Sequence, residues 1–211
     1  IGLSWPAVVA ALEPVFAEHE AAGRGTVRVL LDSVRHWGPE AAMRVLDLHE
    51  ETPWPRVVGF GLGGDEAAVP ARAFEAVYAR VRRLDLAPLV HAGEWAGPES
   101  VAEALERLRP VRIAHGVRAA EDPRLVALLA RKAIPLDVCI ASNRATGAVP
   151  EGTPHPALSL LRAGVVVTLS TDDPGLFGTT LRKEYAALAR LGATADELER
   201  VARASLSAAI V

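Results

Sequence analysis

The chain has 211 residues, half of them hydrophobic, which suits one domain with a sizeable core. Its formal net charge of −3, without clustered basic residues, argues against a nucleic-acid partner, and no apolar run reaches the roughly 18 residues of a membrane span. The lone cysteine, Cys139, can form no internal disulfide, which points to a reducing, cytoplasmic setting.

In chain order the patterns alternate. Ser4 to Gly23 reads as a helix with a serine cap, a proline in its first turn, a closing glycine and a kink expected at Pro14. Thr26 to Val34 reads as a strand. Gly38 to Glu51 has apolar residues at helical spacing, and Arg56 to Gly64 reads as the next strand. A helix over roughly Ala71 to Arg83 precedes the short apolar strand Ala87 to Gly93. Pro98 to Leu108 is amphipathic helix, Val111 to Gly116 strand, Pro123 to Lys132 helix and Ile134 to Ser142 strand. His155 to Gly164 is predicted as helix and Val165 to Asp173 as strand, with a long helical tail after it.

Strict alternation of strand and helix implies a parallel sheet flanked by helices, and nearly all-apolar strands imply that both sheet faces are covered. Two architectures fit: an open doubly wound sheet and a closed (β/α)8 barrel. The glycine-rich "GFGLGGDE" (Gly59 to Glu66) does not fit G-x-G-x-x-G, because two acidic residues stand where a phosphate would sit. That favours the barrel, as one domain over residues 1–211.

The polar residues at the predicted C-terminal strand ends are Gly64, Asp65 and Glu66; His91 and Glu94; His115; Ser142 and Asn143; Asp172 and Asp173. In a parallel barrel these ends meet on one face. Two histidines and two aspartates converging there suggest a metal such as zinc, with His91 and Asp172 as ligands. A satisfied polar cluster would use the same residues, and "STDDP" also fits an Asx-type turn before Pro174. His19, His36 and His49 fall on helices or their entry loops and read as surface residues, and His155 as a helix cap or loop residue.

"GGDE" (Gly63 to Glu66), "HAGE" (His91 to Glu94), "RIAHG" (Arg112 to Gly116), "CIASN" (Cys139 to Asn143), "STDDP" (Ser170 to Pro174) and "LRKEY" (Leu181 to Tyr185), in this order, resemble the adenosine deaminase family of the amidohydrolase superfamily. The resemblance implies a zinc-dependent (β/α)8 barrel that hydrolytically removes the exocyclic amine of 6-aminopurines and releases ammonia. It implies His91 and Asp172 as metal ligands for one zinc or another divalent ion. It further implies His115 as the residue that orients the attacking water, and Glu94 as the acid that protonates the ring nitrogen beside the attacked carbon. Asp173 would contact the five-membered ring of the purine, and Gly64 would touch the purine through its backbone. To act so, Glu94 must be a neutral acid at pH 7, its pKa raised by burial or by nearby negative charge.

The family also carries an H-x-H pair at the end of its first barrel strand, and this sequence contains none. Six strands are readable where such a barrel has eight. The expectation is therefore a chain that lacks the first two strands and the H-x-H ligands, with Ile1 an internal residue and an abrupt end at "SAAIV". By itself it would be inactive or metal-poor, with its edges needing cover. Where relatives show glycine or aspartate in "RIAHG" the chain has alanine, and "CIASN" departs from "CPTSN". "DSVRHWGPE" (Asp32 to Glu40) resembles members acting on aminodeoxyfutalosine, a menaquinone precursor. Two rivals remain: another mononuclear amidohydrolase, with no bridging lysine after "GLGGDE" to hold a second metal, and a binding protein with a degenerate site.

Overall fold

In the computed structural model, which describes residues 3–210, six strands form one sheet: β1 (Val29–Val34), β2 (Val57–Gly63), β3 (Ala87–Ala92), β4 (Arg112–His115), β5 (Leu136–Val138) and β6 (Val167–Leu169). Every neighbouring pair is parallel, and the spatial order is the chain order, β1 through β6. A doubly wound sheet reverses its strand order at a switch point. This one never does, so it is a stretch of (β/α)8 barrel wall, as the sequence predicts. The expectations at Ile1 and at the closing Val211 fall outside the described residues.

The helices are α1 (Trp5–Ala21), α2 (Gly38–Glu51), α3 (Glu75–Arg83), α4 (Pro98–Glu103), α5 (Pro123–Lys132), α6 (Ile140–Ala145), α7 (Ala157–Arg162), α8 (Pro174–Phe177), α9 (Leu181–Arg190) and α10 (Ala195–Ser207). Their ends follow local chemistry. The Asp122 carboxylate accepts the Arg124 N–H at 2.8 Å to start α5, and Ala133 closes it in a left-handed conformation. Thr194 and Glu197 form a reciprocal capping box on α10. The helix α1 continues through Pro14 and buries no residue. It is tied down by Arg56, which donates to Glu13 at 2.9 Å and to Glu20 at 2.8 Å, and by Trp5 and Phe16 packing on Trp54. Among the described residues no helix is long and apolar enough to cross a membrane.

The two sheet faces differ. One set of strand residues is buried against the helices: Leu31, Phe60, Leu62, Val90, Ile113, Leu136, Val138 and Val167, packed with Leu46, Val77, Leu129 and Val201. Truncating one of the large members, such as Phe60 to Ala, costs about 3–5 kcal/mol. The alternate residues form the inner face. There Arg112 donates to Asp137 at 2.7 and 3.0 Å and to the Ala208 carbonyl at 2.9 Å, while Thr168 also donates to Asp137. On β2 this inner face is bare, because Gly59, Gly61 and Gly63 alternate along it. A Cβ on Gly59 would stand 2.9 Å from the Ala87 carbonyl oxygen, and one on Gly61 2.4 Å from Asp32. The glycines serve close approach of neighbouring strands, which explains a glycine-rich strand with no phosphate turn.

Several boundaries differ from the sequence reading: the strand expected from Thr26 begins at Val29, and that expected from Val165 to Asp173 is strand only from Val167 to Leu169. The segment predicted as strand from Ile134 to Ser142 is strand only from Leu136 to Val138, and Ile140 begins α6. The buried Glu184 carboxylate explains the switch: it accepts the Ile140 N–H at 2.7 Å and the Ala141 N–H at 3.3 Å, capping a helix start that periodicity does not reveal. The predicted long helical tail is broken into α8, α9 and α10, because Gly178 and Gly192 take left-handed conformations.

Candidate active site

His91 stands on the inner face of β3, in register with Ala114 of β4. His115 is paired with Ala92, whose side chain is buried against the helices. The chain takes a left-handed turn at His115, with φ of 64°, and this brings its imidazole edge-on to His91, with ring centroids 5.1 Å apart. Asp172, just beyond β6, is also left-handed, with φ of 54°. Non-glycine residues in this region are uncommon and cluster at functional sites.

Ligand-type atoms of His91, Glu94 and His115 all lie within 4.8 Å of one another, and those of His115, Cys139 and Asp172 do likewise. The two triads share His115. Its Nε2 is 3.4 Å from a Glu94 oxygen and 3.9 Å from an Asp172 oxygen. Cys139 is no ready donor, since burial first, and then the Asp172 charge, pushes its thiol well above its ordinary range. The remaining donors are imidazole and carboxylate, the set that suits zinc and other first-row divalent ions. On that chemistry the residues present fit a metal.

The electrostatics separate the two acid–base groups. Burial first, then the charges of Asp172 and Glu66, raises the Glu94 pKa to about 7. Burial first, then His91, lowers that of His115 to about 4. At neutral pH this makes His115 a neutral imidazole and leaves Glu94 a substantial population of neutral acid.

Asp173 and Gly64 take different positions. The Asp173 side chain accepts the Leu176 N–H at 3.0 Å and so caps α8, a helix N-cap where the sequence also allowed an Asx-type turn before Pro174. Gly64 is exposed, with φ of 89°, beside the His36 imidazole. His36 accepts the Asp65 N–H at 3.5 Å and is therefore less detached from the strand ends than a surface reading implies. His155 is buried, and its Nδ1 accepts the Ala157 N–H at 3.2 Å, a structural role.

Several residues of the site carry no role in the sequence reading. Ser142 donates to Asp172 at 2.6 Å, and Asn143 lies 3.1 Å from His115 Nδ1, both from the buried start of α6. Asp32, the one charge in the strand "VLLDSV" (Val29–Val34), flanks the gap above Gly63 opposite His91: a Cβ there would be 3.0 Å from each of them. Asp32 is open to solvent on one side, but enclosure on the other raises its carboxyl above the usual range despite the nearby His91. Its isolation in a strand pattern was the available signal.

The family model for adenosine deaminase matches residues 1–211. The chain belongs to the adenosine deaminase family. It is 39% identical, over 211 residues, to an adenine deaminase of Chelativorans sp., covering all of this chain and 65% of that protein. It is 50% identical over 135 residues to an aminodeoxyfutalosine deaminase of Streptomyces avermitilis, a match covering 64% of this chain and 38% of that one. The crystal structure of adenine deaminase from Arthrobacter aurescens superposes with a TM-score of 0.94 at 28% identity, covering 100% of this chain and 64% of that one. The chain thus spans less than two thirds of the family relatives it matches.

Proposed function

We propose that the protein carrying this chain is a zinc-dependent hydrolytic deaminase of a 6-aminopurine, converting it to the 6-oxo compound and releasing ammonia. The observation that carries the reading is the approach of Glu94 to His115 Nε2, at 3.4 Å, inside a cluster with His91 and Asp172. Support from the comparisons is that full-length relatives are named adenine deaminase.

In this reading His91 and Asp172 hold the metal, zinc or another divalent ion, whose Lewis acidity when bound lowers the pKa of water at the site towards neutrality. Glu94, protonated in part at neutral pH, donates to the ring nitrogen beside the amine-bearing carbon and makes that carbon electrophilic. His115 is neutral at pH 7. With the Asn143 amide turned so that its otherwise unpaired Oδ1 accepts the Nδ1–H, Nε2 presents a lone pair towards Glu94 and Asp172 and can take the proton of the attacking water. Asp173 and the Gly64 backbone orient the purine. The buried, free Cys139 fits a reducing, cytoplasmic setting.

A second reading keeps this chemistry and changes the substrate to aminodeoxyfutalosine. It is favoured by the 50% identity to the Streptomyces avermitilis enzyme of that name. Ammonia release and the purine absorbance change, followed for the intact protein with adenine, adenosine and aminodeoxyfutalosine, separate the two. Turnover of one of the three is expected, with Glu94→Gln slower by at least about 100-fold. Turnover of none, or full rate in Glu94→Gln, overturns the assignment.

A further inference from the structure

The loop from Gly93 to Ala96 carries Glu94 but belongs to no strand or helix. Its backbone is held instead by one side chain. Glu66, 4% exposed, accepts the N–H groups of Gly93 at 2.5 Å, Glu94 at 3.1 Å, Trp95 at 3.0 Å and Ala96 at 3.1 Å. It also accepts the hydroxyl of Ser100, in the first turn of α4. Four successive amides aimed at one carboxylate form an anion nest whose occupant is a residue of the chain, and bonds to an ionised acceptor are about twice as strong as neutral ones.

The start of the same segment is held from another side. Arg35, 1% exposed, donates to the His91 carbonyl oxygen at 2.7 Å and to that of Val69 at 3.2 Å. Between them, two buried and opposite charges fix the backbone from His91 to Ala96. Among the described residues Glu66 makes no hydrogen bond to the side chains of His91, Glu94, His115 or Asp172. Its contacts with the site run through the loop backbone, beside the longer-range charge that helps raise the Glu94 pKa, and Ser100→Ala, which leaves that charge in place, separates the two effects.

We propose that Glu66 is a positioning residue, which sets where the Glu94 carboxyl stands relative to His115, with Arg35 fixing the first residue of the same segment. The proposal rests on the deaminase reading, because it gives Glu66 the task of aiming the acid. A carboxyl aimed at a ring nitrogen must be held closely, since a displacement of about 1 Å can cost on the order of 100-fold in rate.

The test is a double-mutant cycle on the intact, metal-loaded protein, with amide hydrogen exchange as a second readout. Glu66→Gln puts an NH2 group against N–H donors and breaks part of the nest. The expected result is a kcat loss of at least about tenfold with KM changed by less than about threefold, because binding is made elsewhere. In the Glu94→Gln background the same change should cost less than about twofold, since the acid it aims is already gone. Exchange at Gly93 to Ala96 should speed up while the β4 amides stay protected. Ser100→Ala, a milder change that keeps the charge, should repeat the pattern at about threefold and serves if Glu66→Gln does not fold. An equal loss in both backgrounds, or unchanged exchange in the loop, overturns the proposal. If the unaltered protein deaminates no aminopurine, the deaminase reading fails and the aiming role fails with it, whereas faster exchange in an active enzyme with no kcat loss sinks the positioning role alone.

Discussion

Asn143 and His115 meet at 3.1 Å, side-chain amide against Nδ1, and both are sealed from solvent. A buried imidazole with one nitrogen held this way has its ring plane and tautomer fixed, which a proton-handling group needs. Asn143→Leu keeps roughly the volume and leaves His115 Nδ1 without a partner. The expected cost is about 1–3 kcal/mol of stability, the penalty for an unsatisfied buried polar group. The activity should fall further than that loss explains, by about 10–100-fold in kcat. Urea denaturation and ammonia release measure the two separately. Unchanged kcat in a folded Asn143→Leu protein would show that the contact has no part in the chemistry.

Gly63 gives the sharpest steric prediction. Its φ lies outside the left-handed region, so an alanine there is opposed by side-chain contacts and not by backbone strain. The new Cβ would stand 3.0 Å from Asp32 Oδ2, 3.0 Å from His91 Nδ1 and 3.1 Å from His91 Cε1. Gly63→Ala should therefore push His91 aside while costing only about 1–3 kcal/mol of overpacking. The expected signature is at least about tenfold weaker metal binding in a protein that still unfolds cooperatively. Metal content after dialysis, beside a thermal melt, checks it, and full retention of metal counts against His91 as a ligand.

These relationships show what a sequence discloses and what it hides. Apolar strands alternating with helical spacing were enough for the barrel wall, and His91, Glu94, His115 and Asp172 were legible because each ends or follows an apolar run. The roles of Asn143 and Ser142 were not. Their segment looks like strand until Glu184, more than forty positions later, caps it into a helix, and a contact that distant has no local periodicity. Glu66 was visible as a strand-end acid, but its partners are backbone amides, which leave no mark in residue types. The left-handed turn at His115 was equally silent, since nothing but the fold demands it of a histidine.

Metal removal tests the ligand set without assaying turnover. An ion that binds the folded protein and not the unfolded chain stabilises it by about 4 kcal/mol when present at a thousand times its dissociation constant. Chelation should lower the Tm of the intact protein, and zinc should restore it. His91→Ala and Asp172→Ala should each blunt that response and lower the bound metal per chain. A Tm indifferent to chelator in the unaltered protein, with no metal bound, would remove the metal from the account.

His155 predicts how stability responds to acid. It is 4% exposed, and burial first, then the Arg144 charge, lowers its pKa to about 4 from an ordinary 6.5. As pH falls, the unfolded chain therefore takes up the proton before the folded one does. The stability held by keeping this imidazole neutral is complete above pH 6.5 and is lost as pH drops from there towards 4. At 1.36 kcal/mol per unit the ceiling is about 3 kcal/mol. His155→Asn keeps an acceptor for the Ala157 N–H, which His155 now holds at 3.2 Å, and removes the titration. The drop in unfolding free energy between about pH 7 and pH 4.5 should shrink by about 2 kcal/mol in the variant, whatever its absolute stability. Urea titrations at the two pH values measure it. Equal drops in both proteins would mean that His155 does not resist protonation in the folded state, and that the acid sensitivity of this fold lies in its other buried groups.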